Sequence, residues 1–295
     1  MYDVIIIGMG MAGITAGIYA KRAGLNVLMF EKNAPGGQLQ KIDTIKNYPG
    51  YVTVSGPDLS MHLFNQINEL KVDFKIEEVT KIDVEDEVKK VYTASGEYTC
   101  KNIIIAVGRI PKYLGLDNEK DYLGKGVSTC ATCDGALYNN EDVAVVGSGN
   151  SALSESLYLS KIAKTVYLLH RGVEFKGEDE LVTKIKDTPN IKIISGVSVK
   201  KINETDGKIS SVLLSNENTI NIKGIFIYVG YRPDTEIFKD LEITNIEGNI
   251  ITDERFETKY DNVYAIGDCI QKGVYQLVTA AAEGAIAVSE LEKNN

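Results

Sequence analysis

Cysteine and histidine are scarce here, four and two in 295 residues. So few cysteines exclude a disulfide-stapled scaffold in a chain of this length, and a close pair among them is more readily catalytic or metal-binding than structural. Basic charge is short as well: 32 Lys and Arg against 41 Asp and Glu give a net charge of −9, which offers no electrostatic footprint for nucleic acid or an anionic membrane. The apolar runs are strand-sized, far below the roughly 20 residues that span a bilayer. The first strand opens without a basic leader region, so no signal peptide is expected and cytoplasmic residence follows. There is no low-complexity segment or flexible linker, and the prolines number only six. What remains is 44% hydrophobic residues in a chain long enough for two domains with separate cores.

Two glycine-rich turns dominate what is present. Gly8-Met9-Gly10-Met11-Ala12-Gly13 follows the apolar run Val4–Ile7, and Gly147-Ser148-Gly149-Asn150-Ser151-Ala152 follows Val143–Val146. Each reads as a buried parallel strand turning tightly into a helix, so that backbone N–H groups and the positive helix end meet a pyrophosphate. Counting 23 residues on from the first glycine gives Glu31 in one copy and His170, followed by Arg171, in the other. A carboxylate there accepts from ribose hydroxyls and repels a 2′-phosphate, whereas an arginine pairs with one. The first copy therefore suits FAD and the second suits NADP better than NAD.

A second echo marks the ends of the two copies. Ile103–Gly108 and Ile225–Gly230 are apolar strands closing on glycine, and the sequences at 108–111 and 230–233 are matching exits in which proline stops the strand. Asn262–Asp268 adds one more buried strand before a helical run from about Val278 to Leu291. These last elements are too few for a domain and are expected to complete the first one. The fold class is then α/β, with two Rossmann-like dinucleotide-binding domains, the second inserted into the first. The expected boundaries are 1–110 with 236–295 for the FAD domain and 111–235 for the NAD(P)H domain. The stretches Glu77 to Glu97 and Lys192 to Ile222 alternate polar and β-branched residues and are expected to be antiparallel excursions.

Cys130-Ala131-Thr132-Cys133-Asp134-Gly135 precedes the second glycine turn. A CxxC pair near βαβ units closes a small disulfide loop, and at a helix start its thiols are acidified. Half of a zinc site and inert buried thiols are the alternatives. Zinc needs two further S or N ligands, and Cys100, Cys269, His62 and His170 are isolated and scattered, so no metal is expected. Cys100 and Cys269 read as small buried hydrophobes.

Taken together these residues resemble the low-molecular-weight thioredoxin reductases of bacteria. The matching pieces are Gly8-x-Gly10-x-x-Gly13, Gly36-Gly37-Gln38-Leu39, Asn47-Tyr48-Pro49-Gly50, the CATCDG hexapeptide, Gly149-Asn150-Ser151-Ala152, His170-Arg171, and Gly267-Asp268 with Gln276 and Thr279 downstream. The resemblance implies an enzyme in which a nicotinamide reduces FAD, the reduced flavin opens a Cys130–Cys133 disulfide, and the dithiol reduces thioredoxin or a thioredoxin-like protein. It implies that Cys133 lies against the flavin, that Cys130 attacks the protein substrate and that Asp134 manages the proton; the plain alternative for Asp134 is a helix-capping carboxylate. It places Gly8, Gly10, Gly13, Glu31, Gly37, Gln38, Asn47, Gly108, Asp268 and Gln276 around FAD, and Gly147, Gly149, Asn150, Ser151, Ala152, His170, Arg171 and Lys176 around NADPH. It also implies a homodimer, and a rotation of the inserted domain about the two exits. The larger glutathione-reductase type does not fit, since no histidine follows His170 and no residues remain for an extra dimerisation domain.

Two places depart from the pattern. NADPH-using members carry His-Arg-Arg and a further Arg four residues on, whereas this chain reads His170-Arg171-Gly172-Val173-Glu174-Phe175-Lys176. Lysine is a point charge without the bidentate fork, and Glu174 repels, so a second expectation is a related flavoprotein using NADH, ferredoxin or oxygen. Tyr275 stands where Arg or Lys is usual before Gln276, either altering the flavin's surroundings or packing as an ordinary aromatic.

Overall fold

A computed structural model describes residues 1–117 and 119–294. The chain divides into two compact units, Met1–Ile110 together with the segment from Arg232 onward, and Pro111–Tyr231 between them. The return falls at 231/232, ahead of the 235/236 read from sequence. Asp234 already belongs to the first unit: its N–H donates to Gly108 O at 3.1 Å and its carboxylate pairs with Lys32 at 2.5 Å.

In the first unit β1 (Tyr2–Ile7) leads through α1 (Met11–Arg22) to β2 (Val27–Glu31), then α2 (Gly56–Glu69) and β3 (Asp73–Ile76). A hairpin of β4 (Val79–Asp83) and β5 (Lys89–Thr93) runs into the long β6 (Gly96–Ile105). The sheet order is β3-β2-β1-β6-β5-β4. Along its length strand β6 changes partner: Gly96–Cys100 pair antiparallel with β5, and Cys100 and Asn102–Ile105 pair parallel with β1. The apolar run of β1 is unbroken because both faces of the sheet are covered. Val4 and Ile6 pack with residues of α1 and α2, while Ile5 and Ile7 face the opposite cluster containing Val79, Val91 and Phe238.

The chain leaves this unit at β7 (Arg109–Pro111). The second unit begins with β8 (Val127–Ser128) and the short helix α3 (Ala131–Asp134), then repeats the first pattern as β9 (Asp142–Val146), α4 (Asn150–Ser160), β10 (Thr165–His170), α5 (Asp179–Lys186) and β11 (Ile191–Ser195). An antiparallel sheet of β12 (Val199–Thr205), β13 (Lys208–Leu214) and β14 (Thr219–Asn221) precedes β15 (Gly224–Ile227). The parallel order is β11-β10-β9-β15-β8. The excursion expected from Lys192 thus begins too early, because Lys192–Ser195 pair parallel with β10. As an edge strand β11 is only partly covered, so it alternates in sequence like an antiparallel one.

The return begins at β16 (Tyr231–Pro233), which pairs with β7, and β17 (Val263–Ala265) then adds parallel to β6. Helix α6 (Leu277–Asn294) closes the chain, slightly longer than the run read from sequence. Among the described residues no helix is long and apolar enough to cross a membrane.

Candidate active site

Cys130 and Cys133 form a disulfide across the start of α3. Cys130 occupies the N-cap position, where its Sγ accepts from the Cys133 N–H at 3.2 Å, and the Thr132 hydroxyl lies 3.4 Å from the same sulfur. The Cys133 N–H aimed at this atom favours its thiolate once the bond is opened. Cys130 is 8% exposed, whereas Cys133 is the open member of the pair. The next residue, Asp134, accepts a hydrogen bond from the Ser128 hydroxyl at 2.7 Å, and the same Ser128 oxygen accepts from Cys130 N–H at 3.0 Å. From the end of β15 the Tyr228 hydroxyl accepts from Ala131 N–H at 2.8 Å; burial pushes this phenol well above its ordinary pKa. Ser128 and Tyr228 escaped the sequence reading. Tyr228 stands 97 positions from its partner, and no local spacing marks such a contact.

The two glycine turns end in helices with a shared peculiarity. Helices α1 and α4 start at Gly10 and Gly149, with no side-chain cap and no acid in the first turn. By contrast α2 is closed by Ser55, which accepts from Asp58 N–H. Uncapped N–H groups at a helix start, free of acidic neighbours, are what a phosphate needs. The turns themselves admit little but glycine. Gly8 and Gly147 have φ of +106° and +151°, and a Cβ on Gly13 would lie 1.9 Å from Gly8 O. At Gly10 and Gly149 nothing stands within 4 Å of that added atom, so the backbone faces open space.

At the end of β2 the Glu31 carboxylate is nearly buried, accepting from Met9 N–H at 2.9 Å and Asn33 N–H at 3.0 Å, with lone pairs to spare. Other residues expected around the flavin gather at the same C-terminal edge of the parallel strands. A Cβ on Gly37 would lie 3.4 Å from Gly10 Cα; the Gln38 amide donates to Arg109 O at 2.6 Å, beside Gly108; and a Cβ on Gly267 would lie 2.9 Å from Ala12 Cβ, placing the Gly267–Asp268 turn against α1. Asn47 and Gln276 hydrogen-bond each other at 3.0 Å. Asp268 Oδ1 lies 3.4 Å from Lys272 Nζ but makes no hydrogen bond. Lys272 in turn is held by Glu283 at 2.8 Å, whose carboxylate accepts from Gly267 N–H. The divergent Tyr275 stacks under the Arg109 guanidinium at 4.5 Å, an arrangement the sequence did not announce.

In the second unit His170 ends β10 as expected, but as a buried group. Its Nε2 lies 2.8 Å from Ser195 Oγ, the ring stacks on Phe175 at 4.5 Å, and Nδ1 has no partner. Loss of water holds its pKa below the ordinary histidine value. Arg171 and Lys176 are exposed on the loop that follows, which is tied down by Lys176 N–H to Ser148 O at 2.8 Å. Asn150 spends its side chain on that loop, donating to Glu178 Oε1 at 2.9 Å and accepting from Glu178 N–H at 2.8 Å. Its backbone N–H, like that of Ser151, is still available to a ligand. Ala152 is fully buried against the turn, its Cβ 2.8 Å from where one on Gly147 would stand. Cys100 and Cys269 are buried, and burial pushes each thiol up to about 12. Among the described residues no group of three or more His, Cys, Asp or Glu is placed to hold a metal ion.

The model of the pyridine nucleotide-disulphide oxidoreductase family matches residues 2–285. The chain belongs to that family. Among curated relatives, the thioredoxin reductases of Bacillus subtilis (strain 168) and Mycoplasma pneumoniae are each 37% identical; the first alignment covers 99% of this chain and 94% of that protein, the second 98% and 93%. The solved thioredoxin reductase of Lactococcus lactis superposes with a TM-score of 0.92 at 37% identity, covering 99% of this chain and 98% of that one. Membership of the pyridine nucleotide-disulphide oxidoreductases implies a flavin and a pyridine nucleotide as well as a reducible disulfide. This family member has two open glycine turns with uncapped helix starts, and one CxxC disulfide.

Proposed function

We propose that this disulfide reductase is a thioredoxin reductase, passing electrons from NADPH through FAD and the Cys130–Cys133 disulfide to oxidised thioredoxin or a thioredoxin-like protein. The observation that carries the reading is the disulfide at the N-cap of α3, lodged in the same unit as the second glycine turn. FAD, when bound, supplies the relay that takes a hydride from the nicotinamide and returns an electron pair to sulfur. Gly8, Gly10 and Gly13 make room for its pyrophosphate and Glu31 takes the ribose hydroxyls. Gly37, Gln38, Asn47, Gly108, Asp268 and Gln276 line the rest of that site. NADPH is assigned to the turn of Gly147, Gly149, Asn150, Ser151 and Ala152, with His170, Arg171 and Lys176 toward the 2′-phosphate.

Cys133, the exposed sulfur, is the member that meets the flavin, and Cys130 attacks the protein disulfide. Cys130 Sγ has the Cys133 N–H to stabilise its thiolate, which suits it to act as nucleophile. Asp134 takes the proton from the attacking thiol and returns it to the leaving one. The protein is assigned as a cytoplasmic homodimer. Anaerobic titration tests the donor and acceptor together: NADPH bleaches the flavin and oxidised thioredoxin restores its colour. Bleaching by NADH alone overturns the donor assignment. Cys133→Ser keeps flavin reduction by NADPH and loses thioredoxin reduction; retained thioredoxin reduction removes the dithiol from the pathway.

A further inference from the structure

Ser128 is placed where a single hydroxyl reaches both partners of the thiol chemistry. It ends the edge strand β8, is 4% exposed, and is fixed in register by pairing with Phe226 of β15. Its oxygen lies 2.7 Å from Asp134 Oδ2 and 3.2 Å from Cys130 O, and it accepts from Cys130 N–H at 3.0 Å. A hydroxyl has one proton to give, and a carboxylate at the shorter distance is the stronger acceptor. The proton therefore goes to Asp134 while a lone pair holds the backbone of the attacking cysteine.

We propose that Ser128 is a positioning residue for the proton step of the dithiol, fixing the rotamer of Asp134 and anchoring Cys130 through the same oxygen. The proposal rests on the thioredoxin reductase reading and deepens it. The Cys130 thiol gives its proton to Asp134, and its sulfur bonds to one sulfur of the acceptor disulfide as that S–S bond breaks. Cys133 then attacks Cys130 Sγ, the mixed disulfide breaks, and the Cys130–Cys133 bond re-forms. The acceptor leaves with both sulfurs reduced, carrying two electrons and the two protons of the enzyme thiols, one of them by way of Asp134. A hydrogen bond given to a carboxylate favours its charged form, so the acid limb of a variant without the Ser128 hydroxyl is expected at higher pH than that of the wild type.

Two phenols feel the charge of Asp134, and a third lies near one of them. Tyr138 follows Asp134 in the chain, and Tyr228 and Tyr231 come from the segment after β15; all three phenols are pushed up by burial and stay neutral through the working range. From α4, Glu155 bears on Tyr228. Glu155→Gln separates the contribution of this carboxylate from that of Asp134.

The experiment is the pH dependence of dithiol transfer from the FAD-loaded enzyme to thioredoxin and, in parallel, to 5,5′-dithiobis(2-nitrobenzoate), with NADPH-driven flavin reduction recorded separately. In Ser128→Ala the acid limb of both transfers moves up by about one pH unit, a roughly tenfold lower rate on that limb, while flavin reduction is unchanged. Ser128→Thr restores the wild-type limb and Ser128→Val does not. This pair differs only in the hydroxyl and carries the test if Ser128→Ala does not fold. The shift persists in Glu155→Gln and is absent when Ser128→Ala is added to Asp134→Asn. A Ser128→Ala or Ser128→Val limb that coincides with wild type overturns the proposal, as does an equal shift in the Asp134→Asn background. Wild-type enzyme that passes electrons to neither acceptor overturns instead the reading on which it rests.

Discussion

Replacing Gly172 by arginine tests the nicotinamide assignment at its most distinctive position. Gly172 follows Arg171 on the loop after β10, and its carbonyl is fixed by Gly196 N–H at 3.0 Å. A Cβ added there meets Glu174 O at 3.4 Å and His170 Nδ1 at 3.9 Å, ordinary contacts, and its φ is outside the left-handed region. The backbone therefore accepts the larger residue without rearrangement. A charge-assisted hydrogen bond contributes about 1.5 to 3 kcal/mol. The loop is exposed, so screening and side-chain ordering reduce that to about 1 to 2 kcal/mol. The expected result is a roughly five- to thirtyfold tighter NADPH complex, with NADH unchanged because it has no 2′-phosphate to meet the new fork. Anaerobic titration of flavin absorbance with each nucleotide, at low and high salt, measures both constants. The gain for NADPH shrinks as salt rises. Equal tightening of NADH, or no change for NADPH, refutes the placement of the 2′-phosphate over residues 171–176.

Three further outcomes follow from the geometry. Reduced native protein presents two thiols to an alkylating reagent and four after denaturation, since burial holds Cys100 and Cys269 at about 12; a count above two in the folded enzyme contradicts that burial. Gly13→Ala sets a methyl 1.9 Å from Gly8 O, which costs at least about 1 to 3 kcal/mol in a packed turn and weakens FAD binding; a wild-type melting curve with undiminished flavin content argues against the turn as described. His170 is held below its ordinary pKa of 6.5, so below that pH the unfolded chain binds a proton that the folded one resists, and this residue's contribution to stability falls as pH falls. Urea midpoints at pH 7.5 and 5.5 measure this, with His170→Gln losing part of the wild-type difference; an identical difference in the two proteins removes His170 as the cause.

The features legible in the sequence share one property, that their signal is local. A glycine turn after an apolar run, or two cysteines three positions apart, is specified by neighbours in the chain, and the structure places Gly8, Gly10, Gly13, Glu31 and the CxxC pair at strand ends and helix starts. What escaped depends on elements that meet only after folding. Ser195 reaches His170 because β11 pairs beside β10, and Tyr228 reaches Ala131 across 97 positions. Position 170 was readable as a strand end, but its burial and its Ser195 partner were not. Strand β11 misled for a related reason: at a sheet edge its exposed face carries the polar alternation of an antiparallel excursion. The stack of Arg109 on Tyr275 joins the two ends of one unit, with the whole inserted unit between them in the chain.

Strand β17 has a consequence for synthesis. Its three residues cover the parallel half of β6, yet they are translated after every strand of the inserted unit. On the ribosome the insert has its full complement of sheet residues while the half-built host still bares the flank of Ile103–Ile105 to the solvent. Open strand flanks recruit other chains, and domains fold as units during elongation. Nascent chains arrested before Val263 are therefore expected to aggregate through the host sheet and not through the insert, and a chaperone that shields β6 until the last thirty or so codons are read would raise the yield of native protein.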